Sequence, residues 1–169
     1  MRVLIKHEKI VEMCKKIGTE LSQKFKNNNP IVVCVLKGSG PFHAELIKHM
    51  EIPMMVDYLQ VSSYAGGTTT TGNVVLKKDL DLDIEGRDVI IVEDIVDTGI
   101  TLSNIKSMLE TRKPKSLTCV TMLDKPSRRR VDITADYVGF TIDDLFVIGF
   151  GLDLDEQYRN LKDVCVYDE

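Results

Sequence analysis

The stretch IIVEDIVDTGITL, residues 90–102, begins as an apolar β-branched run and then places Glu93, Asp94 and Asp97 in close succession. Carboxylates are seldom buried without a partner, so three at the end of such a run require something positive or phosphorylated nearby. The downstream half, Asp97, Thr98, Gly99, Ile100 and Thr101, leads into a helical pattern. The first amides of a helix lack intrahelical partners, glycine permits close approach and threonine hydroxyls can donate, which together make a phosphate cradle. Glu93 and Asp94 offer only acceptors, suited to sugar hydroxyls or to a hard cation. Phosphate, sugar and magnesium together describe a phosphoribosyl group. The plainer alternative, in which Asp97 or Thr98 simply caps the helix, accounts for only one of the acids.

Such a turn needs a strand before it and a helix after it. Residues 88–92 read as a buried strand, and Leu102, Ile105, Met108 and Leu109 recur at helical spacing, so the acids are expected in a strand-to-helix turn. In an open parallel sheet, ligands gather beyond the carboxyl ends of the strands, which is where this turn belongs. Upstream, Ile10, Cys14, Ile17, Leu21 and Phe25 mark an amphipathic helix stopped by NNNP at 27–30. IVVCVL (31–36) has the composition of a strand covered on both faces, and KGSGP (37–41) ends it. A second helix is expected through Met50 and a strand over 54–61, giving an α/β fold with a mostly parallel central sheet flanked by helices. SSYAGGTTTTGN (62–73) has no apolar periodicity and is expected as a long mobile loop. DLDLDIEGRD (79–88) reads as a solvated strand edge or turn, and 117–123, 136–140 and 146–150 as further short strands. No internal repeat or linker divides the 169 residues, which fit one domain.

Composition excludes several classes. With 22 basic against 26 acidic residues and a net charge of -4, the chain has no broad cationic face for nucleic acid or anionic lipid. Phosphate recognition must therefore be local. Cys14, Cys34, Cys119 and Cys165 are far apart and form no C-x-x-C pair, which suits buried thiols in a reducing compartment. No apolar run has the length of a signal core or a membrane span, so a cytoplasmic location is expected. His7, His43 and His49 fit no zinc pattern, and no G-x-G-x-x-G follows a strand.

The segments VVCVLKGSGPFHAELIKHM, VDYLQVSSYAGGTTTTGNV, VIIVEDIVDTGITL, MLDKPSRRR and FVIGFGLDLDEQYRNL, with the spacing between them, closely resemble the hypoxanthine-guanine phosphoribosyltransferases of bacterial length, type I phosphoribosyltransferases. The likeness covers nearly the whole chain after the first helix. It implies a small hood beside the sheet, a mobile active-site loop, and assembly as a homodimer or homotetramer. It implies transfer of phosphoribose from 5-phosphoribosyl 1-diphosphate to hypoxanthine or guanine, dependent on Mg2+. By the same likeness Asp97, Thr98, Gly99, Ile100 and Thr101 bind the 5′-phosphate, and Glu93 and Asp94 hold the ribose hydroxyls and their magnesium. Asp97 is similar in position to a general base for purine N7. Lys125 resembles the reader of the purine 6-oxygen, Phe146 the stacking residue, Val147 a backbone contact to the base, and Asp153 a second magnesium ligand beside it. Lys37, Gly38 and Arg159 are implied for pyrophosphate, with an unusual cis non-proline peptide in the Lys37–Gly38 loop. Ser63 and Tyr64 match a serine–tyrosine pair on the closing loop.

Without the likeness, Lys125 is a lysine before a turn, FVIGF an ordinary core strand, and Asp153 and Arg159 surface charges. Ile100, Gln60 and Ser62 depart from residues usual in relatives, and RRR (128–130) is expected to be solvated or at a subunit contact. A regulator of the same fold that senses phosphoribosyl diphosphate and binds nucleic acid is the competing reading. The acidic balance, the absence of an added DNA-binding segment and the presence of Asp97 and Lys125 favour the enzyme.

Overall fold

A strand made only of β-branched and small apolar residues is stable where both faces are covered, and Ile31, Val32, Val33 and Cys34 are indeed wholly buried. They lie in β2 (Ile31–Leu36), a central strand of a computed structural model that describes residues 1–63 and 74–168. Before it come β1 (Arg2–Ile5) and α1 (His7–Lys24); after it come α2 (Gly40–Ile47), β3 (Met55–Ser63) and β4 (Val74–Lys78). The second half holds β5 (Asp88–Val96), α3 (Ile100–Glu110), β6 (Ser116–Asp124), a single 3-10 turn at Pro126–Arg128, β7 (Tyr137–Thr141), β8 (Val147–Ile148) and β9 (Val164–Val166).

The main sheet runs β4-β3-β2-β5-β6-β7, with only β4 antiparallel to its neighbour. Side chains alternate across β2, so Val32 joins Ile10, Leu21, Phe42 and Leu46 on the α1 and α2 face. Ile31 and Val33 join Leu102, Ile105 and Leu109 on the α3 face. The crossover after β2 leads outward through α2 to β3, and that after β5 leads the other way through α3 to β6. The direction of winding therefore reverses between β2 and β5, the crevice where open α/β sheets bind ligands. A second, antiparallel sheet of order β1-β9-β8 forms the hood, and its Val147, Val164 and Val166 share the α1 core.

Several boundaries differ from the sequence reading. β5 continues to Val96 because β6 stays paired with it through Val96↔Asp124, so Glu93 and Asp94 lie inside the strand and only 97–99 form the turn. The second helix stops at Ile47, short of Met50. The 146–150 strand shrinks to Val147–Ile148, since Gly149 and Phe150 take φ of 94° and 46° and turn the chain away. Ser62 and Ser63 complete β3 against Val75 and Val74; Tyr64 and the rest of the expected loop, 64–73, lie outside the described residues. The acidic stretch 79–87 is a packed loop with Ile84 buried in the α3 core. The strands β1, β4 and β9 have no counterpart in the sequence reading.

All four cysteines are free and buried, and burial pushes the Cys14 and Cys119 thiols up to about 12. Among the described residues no helix is long and apolar enough to cross a membrane.

Buried Asp57 fastens the 79–87 loop: Tyr58 N donates to its Oδ1 at 2.8 Å and Leu82 N to its Oδ2 at 2.9 Å. Asp57→Ala strands the Leu82 amide and is expected to cost about 1–3 kcal/mol. A lower urea midpoint at unchanged slope shows it; an unaltered midpoint would mean the loop is held by apolar packing alone.

Candidate active site

Where β5 ends, peptide orientation decides what the turn can bind. Lys125 N donates to the Val96 carbonyl at 2.9 Å, Arg129 Nη1 to the Asp97 carbonyl at 2.8 Å, and Arg130 N to the Thr98 carbonyl at 2.9 Å. In a planar trans peptide the N–H points opposite to the C=O. With three successive carbonyls turned toward 125–130, the amides of Asp97, Thr98 and Gly99 face the other way. There a cavity of about 240 Å³ is lined by Glu93, Asp94, Asp97, Thr98, Gly99 and Thr101 among others. The first turn of α3 opens beside it, where unpaired amides and the positive end of the helix dipole favour an anion. Gly99 sits at φ +85°, and a Cβ there would press on Ile133, Arg129 and Val131, so both backbone and space require glycine.

Arg129, read from sequence as solvated or at a subunit contact, belongs to this framework. Its Nη2 donates to Asp124 Oδ1 at 2.6 Å, with both side chains largely buried. Arg128 is likewise committed: its Nε donates to Asp97 Oδ1 at 2.6 Å, and its Nη1 lies 3.4 Å from Asp144 Oδ2. Only the basic, Pro-containing segment was legible in sequence; Asp97, which both arginines reach, stands 31 and 32 residues away.

On the opposite side of the crevice is the β2 loop. The loop holds the cis non-proline peptide that the likeness implies, at the Leu36–Lys37 bond that leads into it. Gly38 has no room for a Cβ, which would collide with the Asp94 carboxylate, so the β2 loop and β5 touch here. Lys37 Nζ bonds Glu156 Oε2 at 2.7 Å, and Arg159 Nη2 bonds Glu156 Oε1 at 3.0 Å. Arg159 Nη1 also reaches Asp153 Oδ1 at 3.3 Å and the Gly151 carbonyl at 2.7 Å, while its buried Nε has no partner among the described residues.

Lys125 leads from β6 into the third wall. It is buried, with Nζ 3.9 Å from Asp144 Oδ1. Phe146, expected in a core strand, is 52% exposed, with its ring in edge contact with Tyr167 at 6.3 Å. Val147 is buried in β8 opposite Val166. Ser63 ends β3, and Tyr64 is outside the described residues.

Glu93 and Asp94 stand apart electrostatically. Burial, and then the neighbouring Asp94 charge, push the Glu93 carboxyl well above the usual range. Burial pushes Asp94 up to about 6, against the pull of the Arg159 charge. Among the described residues neither forms an ion pair, so this is a hard-oxygen donor set in want of a cation or of hydroxyl donors. Among the described residues no three His, Cys, Asp or Glu side chains converge to hold a metal unaided. Magnesium, which keeps several waters and takes one or two carboxylates plus substrate oxygens, suits such a set.

Comparison with known proteins agrees with this geometry. The phosphoribosyl transferase domain family matches residues 4–156. The hypoxanthine-guanine phosphoribosyltransferase of Streptococcus thermophilus (strain CNRZ 1066) is 49% identical over 168 residues, covering 99% of this chain and 93% of the relative. That of Bacillus subtilis (strain 168) is 48% identical over 165 residues, covering 98% and 92%. A crystal structure of a hypoxanthine-guanine phosphoribosyltransferase from Bacillus anthracis, with a HEPES molecule in its active site, superposes with a TM-score of 0.95 at 43% identity over 99% of both chains. The chain with its amide-lined turn, paired acids and basic loops belongs to the phosphoribosyltransferase family, in its hypoxanthine-guanine branch.

Proposed function

We propose that the chain transfers phosphoribose from 5-phosphoribosyl 1-diphosphate to N9 of hypoxanthine or guanine, releasing pyrophosphate and forming IMP or GMP. The observation that carries this reading is the turn at 96–99, whose carbonyls are all tied back so that its amides line a cavity beside Glu93 and Asp94. The 5′-phosphate sits on those amides and the start of α3, with Thr98 and Thr101 hydroxyls beside it. Glu93 and Asp94 accept from the ribose hydroxyls and hold Mg2+, with Asp153 on the far side. When bound, magnesium supplies positive charge that offsets the phosphates and eases departure of the diphosphate.

Asp97 takes the N7 proton as the base joins the sugar. A purine must lose a proton on glycosylation, and a carboxylate within reach stabilises the charge developing on the ring. Arg128 holds one oxygen of that carboxylate, leaving the other to the base. Lys125 donates to the 6-oxygen; its ammonium has no acceptor to offer adenine's amino group. The exposed Phe146 ring provides a face on which the base stacks, and the adjacent backbone of Val147 meets the base edge. Lys37, Gly38 and Arg159 receive the diphosphate.

Nucleotide formation from hypoxanthine, guanine, xanthine and adenine, with and without magnesium, is the direct test; failure with both hypoxanthine and guanine would end this reading. Asp97→Asn keeps shape and removes the proton acceptor, so turnover should fall by about 10²–10⁴. Unchanged turnover would remove Asp97 from that role. Lys125→Ala should lower kcat/KM for hypoxanthine by about 10–100-fold, the worth of a charge-assisted hydrogen bond, while the adenine value stays put. An equal drop for both bases would mean Lys125 acts only on the fold.

Asp94→Asn should abolish activity yet stabilise the ligand-free chain. The carboxyl is raised in the folded state, so the folded protein binds its proton more tightly than the unfolded chain does, and stability is lost as pH rises from about 4 through about 6. The variant's gain should therefore be absent near pH 4 and present above pH 6, worth a Tm increase of about 2–4 °C if about 1 kcal/mol is recovered. Equal melting of the two proteins at both pH values would show that burial of Asp94 carries no penalty.

A further inference from the structure

The turn after the hood strand β8 puts one carboxylate between the two cations assigned above to the diphosphate. Glu156 reaches Lys37 Nζ at 2.7 Å through Oε2 and Arg159 Nη2 at 3.0 Å through Oε1. Lys37 belongs to the β2 loop, 119 residues away, so this contact bridges the crevice from the hood to the sheet. The placement is built by the backbone. Asp155, Glu156 and Tyr158 all adopt left-handed conformations, with φ of 51°, 66° and 73°. Non-glycine residues enter that region at a cost, and three within four positions persist only where the surroundings impose them. Leu154 and Gln157 exchange backbone hydrogen bonds across the turn, and Asp153 Oδ2 accepts from the Glu156 amide at 2.9 Å. The side chain thus leaves a rigid turn aimed at both cations.

The chemistry of the contact matches that of a phosphate oxygen pair: two acceptor oxygens of one anion, each on a different cation. Lys37, and then Arg159, hold the Glu156 carboxyl below the usual carboxylate range, so it remains an anion at neutral pH. It is also 63% exposed, and Lys37 is 55% exposed. Exposed pairs of this kind are weak and exchange readily with other ions. A diphosphate, with more charge and more oxygens, displaces one carboxylate. A buried pair could not serve this purpose.

We propose that Glu156 is an internal stand-in for the diphosphate: it keeps Lys37 and Arg159 in binding position while the site is empty and competes with pyrophosphate for them, hastening its release. This rests on the reading of Lys37 and Arg159 as the diphosphate cations. Glu156 is a positioning residue here, since it yields to the ligand and touches neither the base nor the sugar.

The test is calorimetric titration of magnesium pyrophosphate into the full-length protein and its Glu156→Gln variant, which preserves shape and removes the charge. Loss of the exposed Lys37 pair and the partly exposed Arg159 pair should tighten pyrophosphate binding by about 3–10-fold. IMP affinity should stay constant, since its phosphate binds at the β5 turn. In steady state the variant should show stronger pyrophosphate product inhibition and a lower KM for phosphoribosyl diphosphate, with kcat lowered if release limits turnover. Glu156→Asp, which keeps the charge on a shorter arm, should fall between the two. Pyrophosphate binding that is unchanged or weaker in Glu156→Gln overturns the proposal. Lys37→Met separates the two readings: weakened pyrophosphate binding there upholds the cation assignment whatever Glu156 does, and unchanged binding sinks that assignment and the stand-in with it.

Discussion

The carboxyl end of β5 depends on the direction of three peptide carbonyls. Those of Val96, Asp97 and Thr98 are all captured by 125–130, two through backbone amides and one through Arg129. Arg129 can hold its place because Asp124, the last residue of β6, neutralises it at 2.6 Å in a largely buried setting. Removing one partner of such a pair costs about 3–5 kcal/mol, since the other charge is left buried alone. The turn is consequently rigid before any ligand arrives. Preorganised amides spend nothing on reorientation when charge moves through the site, which is where most enzymic electrostatic stabilisation originates.

A second pattern separates permanent from provisional partnerships. Asp97 is met by Arg128, Lys125 lies near Asp144, and Lys37 and Arg159 share Glu156. Most of these contacts are partly or largely exposed, in contrast to the buried Arg129–Asp124 pair that fixes the scaffold. Water and salt weaken them, so substrate groups can replace them at little cost. Glu93 and Asp94 break the pattern. Glu93 is buried and Asp94 half-buried, neither forms an ion pair among the described residues, and desolvation raises both carboxyls above their usual range. Their complement has to arrive with the substrate.

The sheet was legible wherever a strand is buried on both faces, because a continuous β-branched run such as 31–36 has few other uses. The helices over 7–24 and 100–110 were legible from their periodicity, and the strand-to-helix turn between β5 and α3 from its threonine and glycine. What escaped detection depends on partners that no local pattern announces. β1 and β9 are four and three residues long and exist only because each pairs with the other. Glu93 and Asp94 look like turn residues until β6 is seen to pair alongside them. Arg128 and Arg129 look like solvated charges until their side chains are followed back to Asp97 and Asp124. Glu156 carries no local signal, since left-handed backbone at a non-glycine residue is imposed by its surroundings.

The hood joins the two extremities of the chain: Val3 pairs with Cys165, and β9 then pairs with β8. Contacts between such remote residues pay a loop-closure entropy and form late. The parallel sheet can therefore assemble the turn at 97–99 while β8 still waits for an edge to bind. Fraying at either extremity would therefore deprive β8 of β9, its one partner strand among the described residues.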